Sequence, residues 1–313
     1  MEFGVWDLEF LCAGGFNPLK GARTRPYIAF SFYLRLALEN LLPAVYNLYM
    51  PKSAKLGQNF LRDRNFARKI VDLLHEPQGP LLEIGAGRGI LSELLVEKFP
   101  GRPITLVEID PLLVRELEQL LAGRAQIING DILQIDLAAM FPQAQVTVIG
   151  NLPYHISKPL IDWFIAQRAR ISEAVLMLQK DFVDKLLSPA GGKKYNAQSV
   201  VFQTLYQARR CFDVPAGAFK PAPKIISTVL VVGPADSRVQ AAADEFYKFV
   251  KLCFAERRKT LWNNLAPYYK KEILLALASE SGLSPQTRAE QLPPNLFLAL
   301  FIALKKSGAD RQP

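Results

Sequence analysis

The chain has 313 residues, half of them apolar, enough to bury a substantial core and too much for a disordered tail or a disulfide-stapled miniprotein. Its formal charge of +9 favours a polyanionic partner, and residues 209–313 concentrate it, with 16 of the 38 Lys and Arg but only 9 of the 29 Asp and Glu. Cys12, Cys211 and Cys253 have neither CxxC nor Cys/His spacing, so no disulfide framework and no metal site is indicated, and a reducing cytoplasm fits.

Residues 1–49 are rich in Phe, Tyr and Leu, and Arg35, Glu39 and Pro43 break up their apolar run, which makes a poor membrane span. Glu2, Asp7 and Glu9 come where a targeting signal would avoid acids. The organised pattern begins at Met50-Pro51-Lys52, so Met50 reads as the natural start and 1–49 as an atypical extension. From residue 81, short apolar strands at 81–85, 104–108, 126–128, 146–150 and 173–178 alternate with helical stretches at 89–98 and 111–121. That alternation predicts an α/β fold with a parallel sheet covered on both faces. Two further strands, 204–214 and 227–232, have no helix-length segment between them and suit an antiparallel hairpin at the sheet edge. Past Gly233-Pro234 only helical patterns remain, at 241–255, 270–281 and 296–306. The expected organisation is therefore a catalytic domain over 50–235 and a small all-helical domain over 236–313.

The first strand runs into Glu83-Ile84-Gly85-Ala86-Gly87-Arg88-Gly89, a glycine turn that lets backbone approach a ligand at a helix N-terminus. Counting from Gly85, the sixth position is Ile90, so the dinucleotide fingerprint is incomplete and a nicotinamide or flavin is disfavoured. Glu108, 21 residues beyond Gly87, ends the second strand, and Asp131 follows the third. Acids at successive strand ends offer acceptors for ribose and an adenine amine, and negative potential for a sulfonium.

The fourth strand ends in Asn151-Leu152-Pro153-Tyr154. An aromatic exocyclic amine is a poor nucleophile, because its lone pair is delocalised into the ring. The Asn151 side-chain oxygen and the Leu152 carbonyl suit the two amine hydrogens, localising that pair and stabilising the charge that develops. Pro153 holds Leu152 extended, and Tyr154 offers a face for an extruded base. An ordinary β-turn uses the same residue types; its place after acid-tipped strands favours the chemical reading.

These segments resemble the ribosomal RNA adenine N(6)-methyltransferase family, specifically its small-subunit dimethyltransferase branch, the KsgA type. The resemblance spans residues 52–291 and includes Lys55-Leu56-Gly57-Gln58-Asn59-Phe60-Leu61, EIGAG, VEID, Gly130-Asp131, NLPY, Phe219-Lys220-Pro221-Ala222-Pro223-Lys224, Arg257-Arg258-Lys259-Thr260-Leu261 and Arg288-Ala289-Glu290. It implies a Rossmann-like class I methyltransferase sheet of seven strands, the last antiparallel, with S-adenosylmethionine as cofactor. Gln58, Asn59, Leu61, Gly85, Gly87, Glu108, Asp131 and Asn151 would hold the cofactor. Phe219 would pack on the flipped base opposite Tyr154, or else serve as a buried loop anchor. The implied partner is small-subunit ribosomal RNA in an assembling 30S-type particle, met by a cytoplasmic monomer with no membrane contact. Arg257, Arg258 and Lys259 suit RNA phosphates, or else form a solvated helix end. Three departures from the family pattern are Ala86 for a common proline, His155 for Asn, and Tyr195-Asn196 for Tyr-Gly. The rival readings are a large-subunit methyltransferase of the antibiotic-resistance type and a catalytically idle ribosome-assembly or transcription factor.

Overall fold

A computed structural model describes residues 59–77, 79–153, 156–235 and 241–307. The expectations on residues 1–49, Met50, Gln58, Tyr154 and His155 lie outside the described residues.

Seven strands form the main sheet: β2 (Leu81–Ile84), β3 (Ile104–Glu108), β4 (Gln126–Asn129), β5 (Val146–Asn151), β6 (Ile171–Gln179), β7 (Tyr206–Val214) and β9 (Ser227–Pro234). Their order is β4-β3-β2-β5-β6-β9-β7. The pairs β3–β4, β2–β3, β2–β5 and β5–β6 are parallel, whereas β9 runs antiparallel to both β6 and β7. The last strand is thus the antiparallel one. The 204–214 and 227–232 segments do pair as expected, but β9 lies one place in from the edge and β7 is the edge strand. The reason is the connection from β6 to β7. It runs through α6 (Lys180–Leu186) and α7 (Ala197–Leu205), which leaves a strand-wide gap that β9 fills.

The expected helices appear as α2 (Ile90–Lys98), α3 (Pro111–Leu121), α8 (Ala243–Cys253), α10 (Lys271–Ser281) and α11 (Pro294–Lys306). Sequence reasoning did not assign α1 (Arg64–Asp72), α4 (Leu137–Met140), α5 (Ser157–Gln167), α6, α7 or α9 (Leu261–Leu265). Helix α7 shows why: Gln198, Ser199, Val200, Val201, Phe202 and Leu205 are all buried, so no polar face marks a helical period. Its start also explains one family departure. Asn196 caps the helix, its side chain accepting from the Gln198 N–H while the Asn196 N–H donates to Ser199 Oγ, which glycine cannot reproduce in full.

Apolar residues on the two faces of the sheet gather into two clusters. One joins Leu160, Phe164 and Phe202 to Phe246, Phe249, Phe297 and Phe301, so the C-terminal helices share a core with the sheet. The Phe246–Phe301 rings meet edge to face at 5.4 Å. The other cluster joins Ile70, Leu95, Leu106 and Ile149 to Leu61, Ala218 and Phe219. That cluster is anchored by a separate two-stranded ladder, β1 (Phe60–Leu61) against β8 (Phe219–Lys220), with Leu61 opposite Phe219. Ala218 carbonyl accepts from the Arg62 N–H at 2.8 Å and the Asp63 N–H at 3.3 Å.

Candidate active site

Parallel strands all present their C-terminal ends on one sheet edge, where open α/β sheets bind ligands. A cavity of about 280 Å³ opens there, lined by Asn59, Leu61, Gly85, Gly87, Glu108, Asp131 and Asn151 together with apolar walls from Ile84, Ile109, Ile132 and Leu152. The sequence-derived cofactor residues among the described residues are therefore brought together from five different elements.

The glycine turn is built for close approach. Gly85, Gly87 and Gly89 have φ of +67°, +57° and +80°, values an L side chain rarely adopts. A Cβ on Gly89 would sit 2.6 Å from Leu120 Cδ2, so this glycine also lets α2 pack on α3. The 21-residue spacing from Gly87 to Glu108 is realised as a bond: the Gly87 N–H donates to Glu108 Oε2 at 2.8 Å. Glu108 Oε1 accepts from the Asp110 N–H at 3.0 Å, which fixes the carboxylate while leaving each oxygen a second lone pair for a ribose hydroxyl. Burial raises the Glu108 pKa, and the backbone N–H donors oppose that rise. Asp110 instead caps α3, accepting from the Leu112 N–H. Asp131 accepts from the Leu133 N–H at 2.9 Å through one oxygen and keeps the other for a ligand.

Asn151 ends β5. Gly150 before it lies opposite Ile84 on β2, and a Cβ there would come 2.7 Å from the Ile84 carbonyl oxygen. Only glycine lets the strand run that close. The Asn151 Nδ2 donates to the Asn59 carbonyl at 3.3 Å. A carbonyl can only accept, so this bond assigns the amide orientation and leaves Oδ1 as the acceptor for an incoming amine. The Leu152 N–H donates to the Met177 carbonyl at 3.1 Å, tying the turn after β5 to β6.

Two other expectations meet a different geometry. Phe219 is 5% exposed and packs in the core with Leu61 and Ala218; it is not on the cavity wall. The physical reason is the β1–β8 ladder, which turns that ring inward. The basic cluster is split as well. Arg257 Nε donates to Glu290 Oε2 at 2.6 Å and its Nη2 to the Lys193 carbonyl at 3.1 Å, so it clamps two loops together. Lys259 Nζ lies 2.6 Å from Glu256 Oε1, while Arg258 is exposed and makes no ion pair among the described residues.

Sequence reasoning missed Glu83 and Arg88, both on the cavity wall. Glu83 had a signal, an acid inside the apolar run LLEI of a central strand. Arg88 had none; its guanidinium stacks 5.2 Å from the Phe60 ring centroid, a contact set by the β1 fold-back.

The fit to a sulfonium nucleoside rests on this donor set: the Glu108 and Asp131 carboxylates at two strand ends, apolar walls between them, and a glycine turn below. Comparison with known proteins gives the same answer. The family model described as ribosomal RNA adenine dimethylase matches residues 51–306. The chain belongs to the ribosomal RNA adenine dimethylase family. Among curated relatives, a ribosomal RNA small subunit methyltransferase A from Aromatoleum aromaticum is 37% identical over 261 residues, covering 82% of this chain and 96% of the relative. Another from Streptococcus pneumoniae is 36% identical over 267 residues, covering 80% and 91%. Among solved structures, the 23S rRNA methyltransferase ErmE is similar with a TM-score of 0.61 and 26% identity, over 79% of this chain and 100% of that one. A dimethyladenosine transferase from Plasmodium falciparum shares the fold, with a TM-score of 0.65 at 22% identity over 80% of this chain and 99% of that one. In this dimethylase, as in the family, the cofactor is S-adenosylmethionine.

Proposed function

We propose that this chain transfers methyl groups from S-adenosylmethionine to the exocyclic amine of adenines in small-subunit ribosomal RNA. It dimethylates two adjacent adenines near the 3′ end within an assembling particle and works as a cytoplasmic monomer. The observation that carries the reading is the oriented Asn151 amide, whose Oδ1 is left as an acceptor on the rim of an acid-lined cavity. S-adenosylmethionine, when bound, supplies an electrophilic methyl group. The chain's own groups do the rest. Glu108 and Asp131 hold the nucleoside end, while Asn151 Oδ1 and the Leu152 carbonyl accept the amine hydrogens and stabilise the charge developing on nitrogen. No strong base is needed, since the proton becomes acidic once the nitrogen is methylated and passes to solvent. Tyr154 stacks on the extruded base.

The similarity to ErmE means that fold alone does not separate small- from large-subunit substrates; the curated relatives at 36–37% identity favour the small subunit. Incubating the protein with labelled S-adenosylmethionine and immature small subunits should place label on dimethyladenine near the RNA 3′ end. Label appearing only on large-subunit RNA would reverse the assignment.

The helical residues after 236 provide the RNA-facing part. Arg258→Gln should weaken RNA binding and flatten the slope of log K against log salt by about 0.7–0.9, with unchanged melting temperature. Arg257→Gln should act on stability instead, by about 0–1 kcal/mol, because its partner is Glu290. An unchanged salt slope in the Arg258 variant would remove that residue from the RNA interface.

A further inference from the structure

Glu83 is a cavity-wall carboxylate without a part in the chemistry above. It sits on β2 in the middle of the sheet and is 1% exposed. Its Oε2 accepts from the Ser92 hydroxyl at 2.6 Å, a bond from the first turn of α2. The charged groups that share the cavity are Glu108 from β3, Asp131 after β4 and Arg88 from the glycine turn. Arg88 is directed to the Phe60 ring and makes no ion pair with Glu83. The pocket floor therefore holds a buried acid that lies near a second acid and has no ion-pair partner among the described residues.

Glutamine is nearly isosteric with glutamate and keeps an acceptor for Ser92. A buried carboxylate is the costlier choice unless something positive arrives. The ligand of this cavity is net positive, carrying a sulfonium and an ammonium against one carboxylate, and it enters a site whose low polarity strengthens charge pairing.

We propose that Glu83 is the counterion for the positive end of the cofactor and that it releases one proton to solvent when the cofactor binds. Before binding, the carboxyl is protonated; after binding, it is a carboxylate paired with the incoming cation, and the proton leaves to the buffer. Burial, opposed by the Ser92 bond and reinforced by Glu108, pushes the Glu83 pKa up to about 8, so the uncharged form prevails in the empty site at neutral pH. Glu108 is raised by burial too but has backbone N–H partners that favour its charged form. It is therefore the lesser proton source.

The inference rests on the cofactor reading and is tested by calorimetry of S-adenosylmethionine binding to the full chain, in buffers of different ionisation enthalpy, from pH 6 to pH 9. The parent should release close to one proton near pH 7, and its affinity should rise by about tenfold per pH unit until the pH passes about 8. Glu83→Gln should bind with an affinity nearly independent of pH, matching the parent near pH 6 and falling well below it at pH 9. Ser92→Ala keeps the acid but removes its hydrogen bond, and should move the parent's pH midpoint upward. S-adenosylhomocysteine, which lacks the sulfonium charge, should release fewer protons than S-adenosylmethionine.

Folding is checked by melting the same variants. The raised Glu83 pKa contributes stability that is present below pH 4.5 and lost as pH rises through about 8, so Glu83→Gln should melt no lower than the parent at pH 8. A Glu83→Gln variant that keeps the parent's proton release and pH slope would overturn the proposal. Parent binding without any proton release would do the same. No binding by the parent at any pH would instead bring down the cofactor reading, and this inference with it.

Discussion

Asn151→Ala should slow methyl transfer on the order of 100- to 1,000-fold, a loss of about 2.7–4 kcal/mol by analogy with a missing oxyanion-hole donor, while retaining most cofactor affinity. The split between the two effects follows from geometry. The amide sits at the end of β5 with Nδ2 bound to the Asn59 carbonyl, so Oδ1 is the atom left to accept from an amine. Glu108 and Asp131, which we propose hold the nucleoside, belong to other strand ends and keep their own hydrogen bonds in the variant. Single-turnover transfer to RNA measures the first quantity and calorimetry with S-adenosylmethionine the second. Asn151→Asp is an informative companion. It keeps an acceptor but loses the Nδ2 donor, so the carboxylate is repelled by the Asn59 carbonyl and the orientation is lost. Near-normal single-turnover transfer in the alanine variant would show that the amine is held by other groups.

The chain order of Gly87, Glu108, Asp131 and Asn151 was legible because each ends or closely follows a parallel strand, and parallel strands deliver their C-termini to one edge whatever the loops between them do. The Gly87-to-Glu108 spacing became a direct hydrogen bond for the same reason. Helix α3 was legible too, since Asp110 caps it and Pro111 starts it. The β1–β8 ladder was not. Two-residue strands carry no periodicity, and their pairing links distant parts of the chain, so nothing local announces it. Missing that ladder is what left Phe219 read as a base-stacking ring ahead of the buried anchor, and Arg88 unremarked. The Arg257 clamp was hidden likewise: Arg-Arg-Lys looks like a phosphate cluster until Glu290 is found beside it.

Phe219→Ala should destabilise the protein by about 3–5 kcal/mol, because a large ring leaves a packed cluster that includes Leu61, Ile149 and Ala218. For a chain of this size, that corresponds to a fall in melting temperature of about 10 °C. The damage should also reach the site. Phe219 faces Leu61 across the ladder, and the same ladder positions Asn59, whose carbonyl orients Asn151. Cofactor affinity and turnover should therefore fall together with stability. Phe219→Leu separates this from a direct role on the base. Leucine refills most of the space, so stability should stay within about 1.5 kcal/mol of the parent, with cofactor affinity and single-turnover transfer close to parental. A ring that stacks on adenine cannot be replaced in this way, since leucine has no flat face and a base-stacking contact is worth about 1–3 kcal/mol. If the leucine variant melts like the parent and binds cofactor normally, yet transfers methyl groups on the order of tenfold or more slowly, the ring must leave the core to meet the base. Parental transfer in that variant would keep Phe219 in the core, as the anchor that holds the Asn59 carbonyl against Asn151.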